Sequence, residues 1–183
     1  CGAIDPSCEP GALAAEIAAS PEQPIHCVDW CDALAYCVAH GKRLCGGPHG
    51  ESIVLTAETS PFVFADFAND DSEWYYACSA GVGQRFPYGD DLDEAACNDG
   101  FGGLGTRVDV GAPSCEGGFP GLFDMSGNVD EWVDACFPGQ SGDANCYRAG
   151  GAYYSDGAHD QGRPLPSCDE GTTFGQRCQN NST

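Results

Sequence analysis

The chain is 183 residues long, holds 13 cysteines, and carries a formal net charge of −21, with 28 acidic residues against seven Lys and Arg. A surface this acidic repels phosphate, which argues against nucleic acid and anionic membrane as partners. No run of about 18 apolar residues is present to span a membrane. The charge suits calcium, a basic ligand, or solubility in a salty exterior. The length is that of one domain with a core of its own, so the cysteine content is not needed to compensate for small size. Without a C-x-x-C pair or cysteines grouped with histidines at zinc-finger spacing, the cysteines read as disulfides of an exported protein in an oxidising compartment: extracellular, periplasmic or cell-surface. Thirteen is odd, so one cysteine is free, bonded to another chain, or paired with a residue outside this sequence.

Residues 1–24 are rich in Pro and Ala, and the stretch 12–19 predicts a helical turn or two. Pro24 to Asp29 reads as a short strand. From Trp30 to Ala39 the residues Trp30, Ala33, Leu34, Cys37 and Val38 recur at helical spacing, with Asp29 as N-cap and Gly41 as the stop. Gly46 to Asn69 reads as an irregular insertion, with a buried strand at Ser52–Thr56 and aromatic anchors at Phe62, Phe64 and Phe67. A second short helix is predicted over Asp70–Ala80, where Asp70, Asp71 and Glu73 suit the positive end of the helix dipole. The Gly-rich, acidic stretch from Gly89 to Gly121 has weak signals of either kind. Without a repeat or a linker, the reading is a single loop-rich α+β domain over residues 1–183, held by disulfides.

Residues 119–132, Phe-Pro-Gly-Leu-Phe-Asp-Met-Ser-Gly-Asn-Val-Asp-Glu-Trp, place carboxylates at Asp124 and Glu131 on either side of a turn at Gly127. Such a loop can fold back around one hard cation, because calcium accepts side-chain and backbone oxygens together. An ordinary tight turn with a solvated acidic flank accounts for the same residues, and both readings stand at this point.

An ordered series of landmarks extends the reading. Pro24-Ile-His-Cys-Val-Asp-Trp-Cys-Asp-Ala-Leu-Ala-Tyr-Cys37 is followed by Gly41-Lys-Arg-Leu44, Ser72-Glu-Trp-Tyr-Tyr-Ala-Cys78 and Phe86-Pro-Tyr-Gly89. Then come Gly121 to Trp132, Gly150-Gly151 and Phe174-Gly-Gln-Arg-Cys178. This series resembles the formylglycine-generating-enzyme (sulfatase-modifying factor) family, whose fold is a C-type lectin-like variant with short helices and small antiparallel sheets. The resemblance implies calcium held by the side chains of Asp124 and Glu131 and the carbonyls of Gly127 and Val129, and a second cation near Asn98 and Asp99. It also implies the disulfides Cys37–Cys178 and Cys78–Cys168. Cys97–Cys115 and Cys136–Cys146 follow as local pairs and Cys31–Cys45 as a further candidate, leaving Cys1, Cys8 and Cys27. The family's opening strand is missing, which suggests a piece of a longer chain.

The departures bear on function. The positions at which the resemblance would place two copper-binding catalytic cysteines are Ser155 and Asp160, and neither side chain supplies the thiolate that Cu(I) requires. Ala149 and Ala152 stand where the family has Arg and Ser around the Gly-Gly pair. His26, His40, His49 and His159 show no grouping of the kind the related iron enzymes use. The expected function is therefore a non-catalytic, calcium-stabilised binding or structural module. Its contact surface is expected at Tyr153, Tyr154, Asp156, His159 and Asp160, facing a protein or glycan ligand or copies of itself. An oxidase built on other thiols, with Cys146 and Cys168 flanking the pocket region, and a subunit of an extracellular filament or sheath are the alternatives.

Overall fold

The computed structural model describes residues 10–55, 72–137, 143–154, 167–168 and 171–177. Along the chain run helix α1 (Pro10–Ala19), helix α2 (Trp30–Ala39), strand β1 (Ile53–Val54), helix α3 (Glu73–Cys78), and strands β2 (Glu131–Phe137), β3 (Asp143–Ala149) and β4 (Gly171–Arg177). The class is α+β, as the sequence predicts. Among the described residues the strands form one mixed sheet in the order β1-β2-β3-β4, rather than several small antiparallel ones. β2, β3 and β4 are antiparallel neighbours, but β1 runs parallel to β2, with Ile53 opposite Ala135 and Val54 opposite Cys136. A parallel pair needs a long crossover, and the chain from α3 through the Gly-rich stretch supplies it.

α1 begins at Pro10, a residue preorganised for the first helical position, and so starts before the Ala run. α2 keeps its predicted span. Asp29 accepts from the backbone N–H of Asp32 at 2.8 Å while the Asp32 carboxylate accepts from the N–H of Asp29 at 3.3 Å, a reciprocal capping box. The indole of Trp30 anchors this helix to the sheet, donating to the carbonyl of Val133 at 2.9 Å. α3 is shorter than predicted and is capped by Ser72, whose hydroxyl accepts from the N–H of Tyr75; Asp70 and Asp71 lie outside the described residues.

Pro24 to Asp29 is not a strand. Cys27 sits in the left-handed region at φ +60°, which breaks a pleat, and side chains take the carbonyls that a ladder would use. Arg107 donates to Pro24 O at 2.9 Å and Trp132 to Val28 O at 3.0 Å. The strand predicted over Ser52–Thr56 contracts to Ile53–Val54, extended by one bond from Leu55 N–H to Cys136 O at 3.0 Å.

The core lies where α3 meets the sheet, with Leu55, Trp74, Tyr75, Met125, Val133 and Tyr147 at its centre. Cys78–Cys168 crosses it over a separation of 90 residues, and Cys136–Cys146 staples β2 to β3 at positions that face each other in the register. A smaller cluster, Ala96, Cys97 and Cys115, surrounds the Cys97–Cys115 bond. Cys27 and Cys31 are each disulfide-bonded, and the described residues do not include their partners. Two expected pairings do not form. Cys45 is a free thiol, which rules out Cys31–Cys45, and Cys37 is also free, so it is not bonded to Cys178, a residue outside the described ones.

Candidate functional site: an acidic turn beside a paired-charge pocket

The turn before β2 is wound tightly. Asp124, Gly127 and Asn128 all take left-handed backbone conformations, at φ +58°, +83° and +58°. Only glycine adopts this without penalty, Asn and Asp tolerate it, and these three residues are of those types. A Cβ on Gly127 would lie 2.6 Å from the carbonyl oxygen of Asn98, so the turn presses against the 98–103 loop. The Asn128 side chain holds the turn from inside. It is buried, accepts from Val108 N–H at 3.1 Å and donates to Val108 O at 3.2 Å, in the manner of a strand partner.

This winding brings Asp124 and Glu131 near each other. Glu131 is partly buried as a residue, but its carboxyl end is enclosed, and burial pushes that carboxyl up to about 7, opposed by the Trp74 indole N–H that donates to it and reinforced by the Asp124 charge. Burial also raises Asp124, against bonds from Gly111 N–H at 2.9 Å and from Asn128. Two carboxylates raised by burial, with the Asp124 charge further disfavouring ionisation of Glu131, are the electrostatic complement of a cation. Their oxygens, with nearby backbone carbonyls, are the donor type that calcium takes. Among the described residues no group of three or more His, Cys, Asp and Glu side chains converges, so any cation here depends on backbone oxygens as well.

In the neighbouring loop Asn98 spends its amide on closure: its Oδ1 accepts from Leu104 N–H at 3.0 Å and its Nδ2 donates to Thr106 O at 2.9 Å. Asp99 is fully buried. Its Oδ1 accepts from the N–H groups of Phe101 and Gly102, while Oδ2 has no hydrogen-bond partner among the described residues, and burial raises its carboxyl.

On the other side of the turn lies a cavity of about 540 Å³, a volume ordinary for small-molecule sites. One wall comes from α1, the 25–28 segment and Arg107. There Glu16 pairs with Arg107 and accepts from, or donates through its proton to, His26 Nε2 at 3.0 Å. The opposite wall comes from β2, β3 and the segment after β3. The register sets Arg148 opposite Trp132, so its guanidinium lies 5.4 Å from the Trp132 ring and reaches Asp130 at 3.1 Å. Tyr154 donates its hydroxyl to Asp130 at 3.3 Å and stands edge-on to Tyr153, with centroids 4.9 Å apart. Among the described residues the cysteine lining the cavity is Cys27, which is disulfide-bonded.

Of the predicted contact residues, Tyr153 and Tyr154 line this cavity, and Asp156, His159 and Asp160 lie outside the described residues. The idea of a thiol pair at Cys146 and Cys168 does not hold, because both are consumed in disulfides. Glu16, Arg107, Asp130 and Arg148 escaped the sequence reading. Their one available signal was scarcity: with seven cations in the chain, two arginines lining one cavity is a marked concentration.

Comparison with known proteins adds a lineage. The family model of the sulfatase-modifying factor enzyme 1-like domain matches residues 5–164. The formylglycine-generating enzyme of Bos taurus is 29% identical over 130 residues, a match that takes in 62% of this chain and spans 27% of that protein.

Proposed function

The chain belongs to the sulfatase-modifying factor enzyme 1-like domain family, and from that premise we propose that it is a non-catalytic recognition module on the family's lectin-like scaffold. The cavity between α1 and β3 is the binding site, and the acidic turn is a structural calcium site. One observation carries this reading: among the described residues the cavity offers no thiol. Its lining cysteine is oxidised, and the positions at which the family resemblance would put catalytic cysteines are Ser155 and Asp160. Copper-dependent oxidation of a cysteine needs soft thiolate ligands. The free thiols of Cys37 and Cys45 lie on and beyond α2 and do not line the cavity.

In this reading Asp124 and Glu131 supply side-chain oxygens to calcium and Gly127 and Val129 supply carbonyls. Bound calcium would neutralise two carboxylates that otherwise resist ionisation. Asp99 Oδ2, beside Asn98, is the free oxygen for a second cation. Many disulfides support an exported, oxidising location.

The test is direct. The purified full chain is incubated with copper, dioxygen and a cysteine-containing peptide, and the peptide mass is followed. The expected result is unchanged peptide together with stoichiometric calcium by elemental analysis; conversion of the peptide cysteine to an aldehyde overturns the proposal.

A further inference from the structure

Among the described residues, the cavity's charges are already spent on one another. Glu16 is matched by Arg107 on one wall and Asp130 by Arg148 on the other, and the side chains of both arginines are less than a fifth exposed. In a chain of net charge −21, this internal balance sets the cavity apart from the surrounding surface. A charged ligand would have to displace one of these partners and leave its mate desolvated, which is costly.

An uncharged ligand faces no such exchange. A guanidinium has five N–H donors and a carboxylate about four acceptor sites, more than one ion pair engages, so the paired side chains set donors and acceptors side by side. That alternation matches adjacent hydroxyl groups, each of which donates and accepts. The aromatic residues add shape. Tyr153 and Tyr154 meet at 88°, forming a corner against which a ring can lie flat on one side and edge-on to the other, and Tyr154 is 42% exposed. A ring with an apolar C–H face and a hydroxylated rim answers both features.

Resting on the recognition reading above, we propose that the cavity binds a neutral pyranose sugar, held by the Asp130–Arg148 and Glu16–Arg107 pairs and stacked on Tyr154. Recognition runs through paired side chains and an aromatic face, with no contact made by a bound cation.

Saturation-transfer NMR on the calcium-loaded full chain tests this with a panel of methyl pyranosides: glucoside, galactoside, mannoside and N-acetylglucosaminide. Glucuronate, glucosamine and adenosine are the anionic, cationic and aromatic comparators. At least one neutral pyranoside is expected to bind in preference to all three comparators. Tyr154→Ala is expected to weaken it roughly tenfold, about one aromatic contact, and Tyr154→Phe, which keeps the ring, to weaken it less. Asp130→Asn, which turns one acceptor oxygen into a donor and removes the charge, is expected to weaken it as well. Tyr36→Ala, at an exposed position on α2, leaves binding unchanged. Silence of every neutral pyranoside well above millimolar concentration overturns the ligand class, as does preferential binding of a comparator. Binding undiminished in both Tyr154→Ala and Asp130→Asn overturns the site. These failures leave the non-catalytic part of the reading standing, because that part falls on the copper and peptide result.

Discussion

The indole N–H of Trp74, on α3, donates to Oε2 of Glu131, the first residue of β2. One hydrogen bond thus joins the core helix to the carboxylate on which the acidic turn closes. It leaves the other carboxylate oxygen for the turn, and it explains why a residue so enclosed is still an acid: one of its oxygens has a fixed donor.

The enclosed carboxyl has a consequence for pH. In calcium-free buffer Glu131 is pushed up to about 7 from an ordinary 4.5, so between these values the folded chain holds a proton that the unfolded chain has released. Its contribution is therefore full below about 4.5 and is lost as pH rises to about 7, at a cost of at most about 3 kcal/mol. Asp124 and Asp99 act in the same sense, and Glu73, held below the carboxylate range by Arg43, opposes them. Urea unfolding in EDTA at acid and neutral pH is expected to show this slope, and Glu131→Gln to flatten it.

Calcium should reverse that trend. At neutral pH, calcium at about a hundred times its dissociation constant is expected to add about 2.7 kcal/mol, read as a rise in melting temperature. Asp124→Asn is expected to lose most of the gain. An unchanged melting temperature with calcium in the wild-type chain removes the cation from the acidic turn.

Gly127 has no room for a side chain. With φ +83° and a virtual Cβ 2.6 Å from Asn98 O, Gly127→Ala should destabilise by roughly 1–3 kcal/mol. Gly41, also left-handed but with nothing near its virtual Cβ, should tolerate alanine better; denaturant midpoints of the two variants decide this.

The Cys78–Cys168 bond closes a loop over a separation of 90 residues through the core. Chain entropy assigns it about 4–5 kcal/mol, so the double alanine variant should be markedly less stable to urea. Peptide mapping after alkylation of the native protein checks the complementary point: Cys37 and Cys45 carry the label, and Cys78, Cys97, Cys115, Cys136, Cys146 and Cys168 do not. Label absent from Cys37 would restore a disulfide there.

What was legible in the sequence was what depends on near neighbours. The Asp29 N-cap and the helical period of Trp30–Ala39 are local, and α2 follows them residue for residue. The turn at Asp124–Glu131 was visible because Gly and Asn declare left-handed backbone and carboxylates declare charge. Pro24 to Asp29 misled because its composition suits a strand, while the left-handed Cys27 and the distant donors Arg107 and Trp132 take its backbone elsewhere.

Composition, charge and cysteine content by themselves determined an acidic, disulfide-bearing α+β domain, and ordered motifs placed its lineage. Only the tertiary structure decided which cysteines stay free, that β1 joins the sheet in parallel, and that Glu16, Arg107, Asp130 and Arg148 face one cavity. Those facts turn on register and on which surfaces pack: Arg148 reaches Asp130 because it lies across from Trp132 on the neighbouring strand. A pairing between residues far apart in the chain leaves no period in the sequence to announce it.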